Sequence, residues 1–148
     1  TTYRHMAERV TDMAVKVLSR DKSLTAGPCM TRRIALARSD EFSGDENEAT
    51  DASASFEVPL ESVRHLMKTY GGNYRTVLEI AREGDELKKR LTDDLPHIAA
   101  EVVYAARHEL AANVEDFLER RTRIALLTRD HGRSCSDRVR ELTSPWYC

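Results

Sequence analysis

The sequence predicts an all-α fold, a compact array of about five or six helices with a long acidic loop. Three observations predict it. Apolar residues recur at three- and four-residue spacing in successive segments, as one face of a helix requires. Charged residues make up 32% of the 148, above the usual share of about a quarter. With 6% aromatics and only six glycines, that composition favours helices with solvated outer faces. Proline and glycine stand where helices begin and end: Pro59, Gly71-Gly72, Gly84 and Pro96.

Taken in order, Tyr3 to Leu18 reads as an amphipathic helix. Tyr3, Met6, Val10, Met13 and Val17 form its stripe, Ala14 and Leu18 lie beside them, and Thr2 is its N-cap. Ala26-Gly27-Pro28 breaks the pattern. Thr31 to Arg38 reads equally as a strand or a turn of helix. Residues 39–55 are dominated by Ser, Gly, Asp, Glu, Asn and Ala, with Phe42 the one aromatic. Such a stretch buries too little apolar area to offset chain entropy, so a mobile acidic insertion is expected there. Pro59 then opens a helix with Leu60, Val63, Leu66, Met67 and Tyr70 on one side. Gly71-Gly72 ends it, and Asn73 caps a shorter helix with Val77, Leu78 and Ala81 inward. Asp85 to Leu91 supplies another turn or two. Pro96 precedes the strongest helix, with Ile98, Val102, Ala105 and Glu109 on one side and Val103, Tyr104 and Ala106 widening the apolar surface. A further helical stretch runs through Val114, Phe117, Leu118, Ile124 and Leu127. Residues 129–148 read as a weakly ordered tail in which Val139, Leu142 and Trp146 are the residues able to dock. The domain is therefore placed at residues 1–128.

Much chemistry is excluded. No segment approaches the roughly 20 apolar residues of a membrane-spanning helix. The absence of a signal peptide and of an initial Met leads us to expect a fragment or a processed product. The formal net charge of −2 points to no nucleic-acid partner, although its distribution is uneven. Seven Arg against two Asp lie between Arg120 and Arg140. Cys29, Cys135 and Cys148 are odd in number and far apart, which fits a reducing compartment better than a disulfide framework or zinc site. There is no glycine-rich phosphate loop. His108-Glu109 begins like a metalloprotease helix, but Ala112 stands where the second zinc ligand would be. The acids at Asp40, Asp45 and Asp51 lack calcium-loop spacing. His5, His65, His97 and His131 each stand alone, so no catalytic group and no metal site is expected. Tyr104, His108 and Glu109 are expected in a buried hydrogen-bonded network.

Three separated stretches carry a resemblance. They are Thr1-Thr2-Tyr3-Arg4-His5-Met6-Ala7-Glu8, then Ala26-Gly27-Pro28-Cys29-Met30-Thr31. The third runs from Pro96 through Glu101-Val102-Val103-Tyr104-Ala105-Ala106-Arg107-His108-Glu109 to Arg120-Arg121-Thr122-Arg123. In order and spacing they resemble the C-terminal helical domain of the FAD-dependent, quinone-linked glycerol-3-phosphate dehydrogenases. The match spans roughly residues 1 to 128.

The resemblance implies an accessory domain of a flavoenzyme. That enzyme oxidises sn-glycerol 3-phosphate to dihydroxyacetone phosphate and passes the electrons from FAD to quinone at a membrane. The dinucleotide- and substrate-binding parts of the family lie upstream. The chain alone is therefore expected to be inactive and to carry no cofactor, with the upstream flavin domain as its partner. The resemblance also admits a homo-oligomer. It places Thr1 and Thr2 where a helix N-terminus points at the N1–C2=O edge of the flavin and steadies negative charge there. Arg120, Arg121 and Arg123 become an interdomain clamp, set against solvated charge paired with Glu115, Asp116 or Glu119. Peripheral association with the mitochondrial inner membrane follows, or with the cytoplasmic face of a bacterial inner membrane. Calcium control is not implied. The rival reading is an independent helical interaction module.

Overall fold

A computed structural model describes residues 2–21, 25–34 and 42–145. Thr1, Trp146 and residues 35–38 of the ambiguous stretch 31–38 lie outside them. The described residues are helical or irregular, with one isolated bridge between Arg90 and Ile98, so the all-α expectation holds. The chain divides into two units, Thr1–Ala35 and Leu36–Cys148.

The first unit is built on α1, Thr2–Asp21. Arg4 ties this helix to the segment after it, donating to Thr31 Oγ1 at 3.1 Å while pairing with Glu8 at 3.2 Å. Its apolar stripe is not buried. Tyr3, Met6, Val10, Met13 and Val17 are each 59–75% exposed.

The second unit carries the core. Its first helix, α2 (Glu46–Phe56), occupies most of the segment expected to be a mobile acidic loop, which corrects that expectation. Local chemistry explains the difference. Asp45 accepts from the Glu48 N–H at 2.8 Å as an N-cap, and Glu46 and Glu48 complement the positive end of the helix. Ala49 and Ala52, three residues apart, face the core and need no large side chain to do so. Helix α3 (Leu60–Tyr70) follows Pro59, with Val63, Leu66 and Met67 buried as expected. A 3-10 turn over Gly71–Asn73 leads into α4 (Tyr74–Ala81), where Val77, Leu78 and Ala81 are fully buried. Asn73 forms no side-chain cap. Helix α5 is one turn, Asp85–Lys88.

Helix α6 (Ala99–His108) is the organising element: residues 99–106 are all buried. Ile98, Ala100, Val103 and Tyr104 join the cluster formed by α2, α3 and α4. Val102 and Ala105 join a second cluster with Val114, Phe117, Leu118, Ile124, Cys135 and Val139. That second cluster is made by a π-helical turn (Asp116–Arg121), α7 (Ile124–Leu127) and α8 (Arg133–Thr143). Leu127, placed on the apolar face by its spacing, is 62% exposed.

Helix α8 corrects the expectation of a weakly ordered tail. Cys135, Val139 and Thr143 recur every four residues and are buried, and Leu142 packs beside them. Asp130 accepts from the N–H groups of Gly132 and Ser134 at 3.1 and 2.7 Å, which satisfies donors at the helix start. Gly132 stands at φ +77°, and a Cβ there would lie 3.2 Å from Leu118 Cδ1. Only glycine fits so close an approach without strain.

Candidate functional site

The most concentrated polar group lies inside the second unit, where α3 meets the start of α6. Glu101, in the first turn of α6, is wholly buried. Its Oε1 accepts from the backbone N–H of Ile98 at 2.9 Å, which closes the N-terminus of the helix. Its Oε2 faces three side chains: His65 Nε2 at 3.2 Å, His97 Nδ1 at 3.2 Å and the Tyr70 hydroxyl, which donates at 3.0 Å. The helical geometry of α3 sets this up. His65 and Tyr70 reach the same carboxylate from one helix, and His97 comes from the segment that enters α6. That segment is held by Leu91 N–H to His97 O and Ala99 N–H to Lys89 O, both 2.9 Å. The two imidazoles meet edge to face with centroids 4.2 Å apart.

Burial works against an ionised Glu101. The hydrogen bonds and charge of His65 and His97 outweigh it and hold the carboxyl at about 2. Tyr70 is pushed far up by its own burial and by that carboxylate, so it stays a donor. His65, His97 and Glu101 present ligand atoms all within 4.8 Å of one another.

This arrangement differs from the network expected around Tyr104, His108 and Glu109. Tyr104 is buried and stacks edge-on against Tyr70 at 5.1 Å. His108 is exposed and Glu109 half-buried, because the helix ends there and turns both towards solvent. Nor do His65 and His97 stand alone. The sequence signal for the pair was slight: His97 and Glu101 are four apart, whereas His65 arrives from 36 residues away.

A second polar group pins the acidic helix. Glu48 accepts from Ser43 Oγ at 2.6 Å, Gly44 N–H at 3.1 Å, Tyr74 OH at 2.7 Å and Arg75 Nη2 at 2.9 Å. Burial opposes its charge, but these donors prevail and bring its carboxyl down from 4.5 to about 2.

The residues singled out for docking are spread over both units. Thr2 begins α1 and is exposed, with no acid in the first turn to occupy its N–H groups; Thr1 lies outside the described residues. Arg120 pairs with Asp116, and Arg121 donates to Glu109 O at 2.6 Å. Arg123 adopts φ 58° after the π turn and is exposed, so it does not share a regular helix face with Arg120.

Comparison with known proteins places these elements. Residues 29–147 match the family model described as the C-terminal domain of alpha-glycerophosphate oxidase. The chain is 30% identical over 98% of its length to a probable mitochondrial glycerol-3-phosphate dehydrogenase of Dictyostelium discoideum, of which it covers 22%. It is 31% identical over 98% of its length to glycerol-3-phosphate dehydrogenase 2 of Mycobacterium tuberculosis, covering 24%. It is 30% identical over 82% of its length to the aerobic glycerol-3-phosphate dehydrogenase of Staphylococcus aureus, covering 22%. The chain thus spans about a quarter of the length of these relatives or less. No solved structure matches it. The match to the family model runs through the buried α6 and on through α8, and the chain belongs to the family of C-terminal domains of alpha-glycerophosphate oxidase, shared with the glycerol-3-phosphate dehydrogenases.

Proposed function

We propose that this chain is the C-terminal accessory domain of an FAD-dependent enzyme that oxidises sn-glycerol 3-phosphate to dihydroxyacetone phosphate and hands the electrons to quinone. FAD, when bound in the parent, takes the hydride from C2 of the substrate. The domain's own part is docking and orientation, and the domain alone has no dehydrogenase activity. The observation that carries this reading is the stripe of α1. Five large apolar side chains on one helix are more than half exposed, and a helix so patterned needs a partner surface. The upstream flavin domain is that surface. The relatives' length leaves ample room for such a domain, and membership of the family favours this reading over an independent interaction module.

In that arrangement Thr1 and Thr2 stand at the N1–C2=O edge of the flavin, and the start of α1 steadies its charge on reduction. Arg120, Arg121 and Arg123 clamp acidic groups across the domain boundary. Arg123, exposed on a left-handed residue, is the most available of the three. The parent sits peripherally on a membrane, the mitochondrial inner membrane or the cytoplasmic face of a bacterial one. No helix of the described residues is long and apolar enough to cross it.

The test is made in the full-length parent. Met13→Asp, at the middle of the α1 stripe, is expected to release FAD and abolish glycerol-3-phosphate-dependent reduction of a quinone analogue. Full flavin content and turnover in that variant would reject the docking role.

A further inference from the structure

We propose that His65 Nε2, His97 Nδ1 and Glu101 Oε2 form a binding site for one divalent zinc ion that ties α3 to the start of α6. Donor chemistry comes first. Two imidazoles and a carboxylate are the ligand set of a zinc site with one position left over, and imidazole nitrogen favours zinc over magnesium or calcium. Spacing comes second. Ligands bound tetrahedrally at about 2.0–2.1 Å stand about 3.3 Å from one another. Both nitrogens lie 3.2 Å from Glu101 Oε2, and all three ligand atoms fall within 4.8 Å.

Charge is the third strand. Glu101 is fully buried, and among the described residues no Lys or Arg pairs with it. A buried carboxylate needs a compensating cation. The two imidazole nitrogens face that carboxylate at 3.2 Å, and a zinc ion held between the three ligand atoms would supply the charge.

The surroundings already have the form of an outer shell. Glu101 is restricted to one ligating oxygen because Oε1 is taken by the Ile98 N–H. The Tyr70 hydroxyl holds the second lone pair of Oε2 at 3.0 Å. Thr69 Oγ1 stands 3.5 Å from His65 Nδ1, placed to take that proton and leave Nε2 as the donor to a metal. His65 keeps 18% of its side chain exposed, which provides a route in, whereas His97 and Glu101 are 6% and 0% exposed.

The experiment uses the untagged 148-residue chain, stripped with chelator and titrated with zinc chloride by calorimetry, with cobalt(II) as a spectroscopic substitute. Expected are one zinc per chain and a tetrahedral visible spectrum with cobalt. The melting temperature should rise by roughly 5–10 °C at a hundredfold excess over Kd. His65→Gln and His97→Gln should each weaken binding by about a hundredfold or more, beyond the usual effect of an outer-shell change. Cys29→Ser should leave binding unchanged. His65→Gln sits at the rim and keeps the fold, checked by circular dichroism, so it decides the matter even where His97→Gln does not fold. Failure of the chain to take up stoichiometric zinc, or undiminished uptake by His65→Gln, would overturn the site and leave a hydrogen-bonded cluster only.

Discussion

Helices α1 and α6 invite comparison because each carries one of the stretches of the family resemblance, yet they are in opposite situations. Helix α6 is buried from Ala99 to Ala106 and feeds two core clusters. Helix α1 is twice as long, has a clear apolar stripe, and leaves every large side chain of that stripe exposed. Amphipathic periodicity therefore marks a face that requires a partner, while the partner itself can lie elsewhere in the protein. The same residue type tests the point. Val102 in α6 is fully buried and Val10 in α1 is 61% exposed. Val102→Asp places a charge in the second cluster with no partner within it, and should cost on the order of 4 kcal/mol. Denaturant unfolding of the second unit, followed by circular dichroism, is the measurement. A midpoint close to that of the unaltered chain would mean that α6 is not the shared wall of the two clusters.

A helix between these extremes sharpens the comparison. Acidic α2 is held by few apolar side chains and by the donors around Glu48. The folded-state carboxyl of Glu48 lies at about 2, below its ordinary 4.5. A depressed carboxylate contributes stability that is fully present above pH 4.5 and is lost as the pH falls from 4.5 towards 2. Acid should therefore loosen α2 over that window, seen as faster hydrogen exchange at residues 46–56. Glu48→Gln should remove about 1–2 kcal/mol at neutral pH and flatten the acid limb of the stability curve. An unaltered acid limb would show that α2 is held by Ala49, Ala52 and its cap alone.

These helices also show what the sequence could disclose. The stripes Val63-Leu66-Met67 and Val77-Leu78-Ala81 were readable because large apolar residues at helical spacing signal burial directly. Helix α2 escaped that reading because its buried residues are alanines, whose small area weighs little in composition, while Asp45 and Glu48 act through caps and tertiary donors. Helix α8 escaped for a related reason: Cys135, Val139 and Thr143 are sparse among seven polar or charged neighbours. The cluster at Glu101 was invisible for a stronger reason. His65 and His97 meet only after α3 packs on α6, and no local spacing encodes that contact. Family membership was legible in short stretches because they carry side chains in fixed order. The roles proposed for Thr2 and Arg123 rest on the resemblance rather than on any local signal in the sequence.

The smallest expected effect completes the comparison. Val10→Asp in this chain replaces one solvent-facing side chain by another on an exposed helix surface. It forfeits only a modest helix preference and should change stability by less than about 0.5 kcal/mol. Loss of α1 helicity or a large stability change would mean that its stripe is already covered, for instance by self-association at the concentration used. Sedimentation at two concentrations separates these cases. A monomer indifferent to Val10→Asp but broken by Val102→Asp places the unmet apolar demand of this domain on α1. The same substitution in the proposed full-length parent then tests whether that helix docks on a second domain.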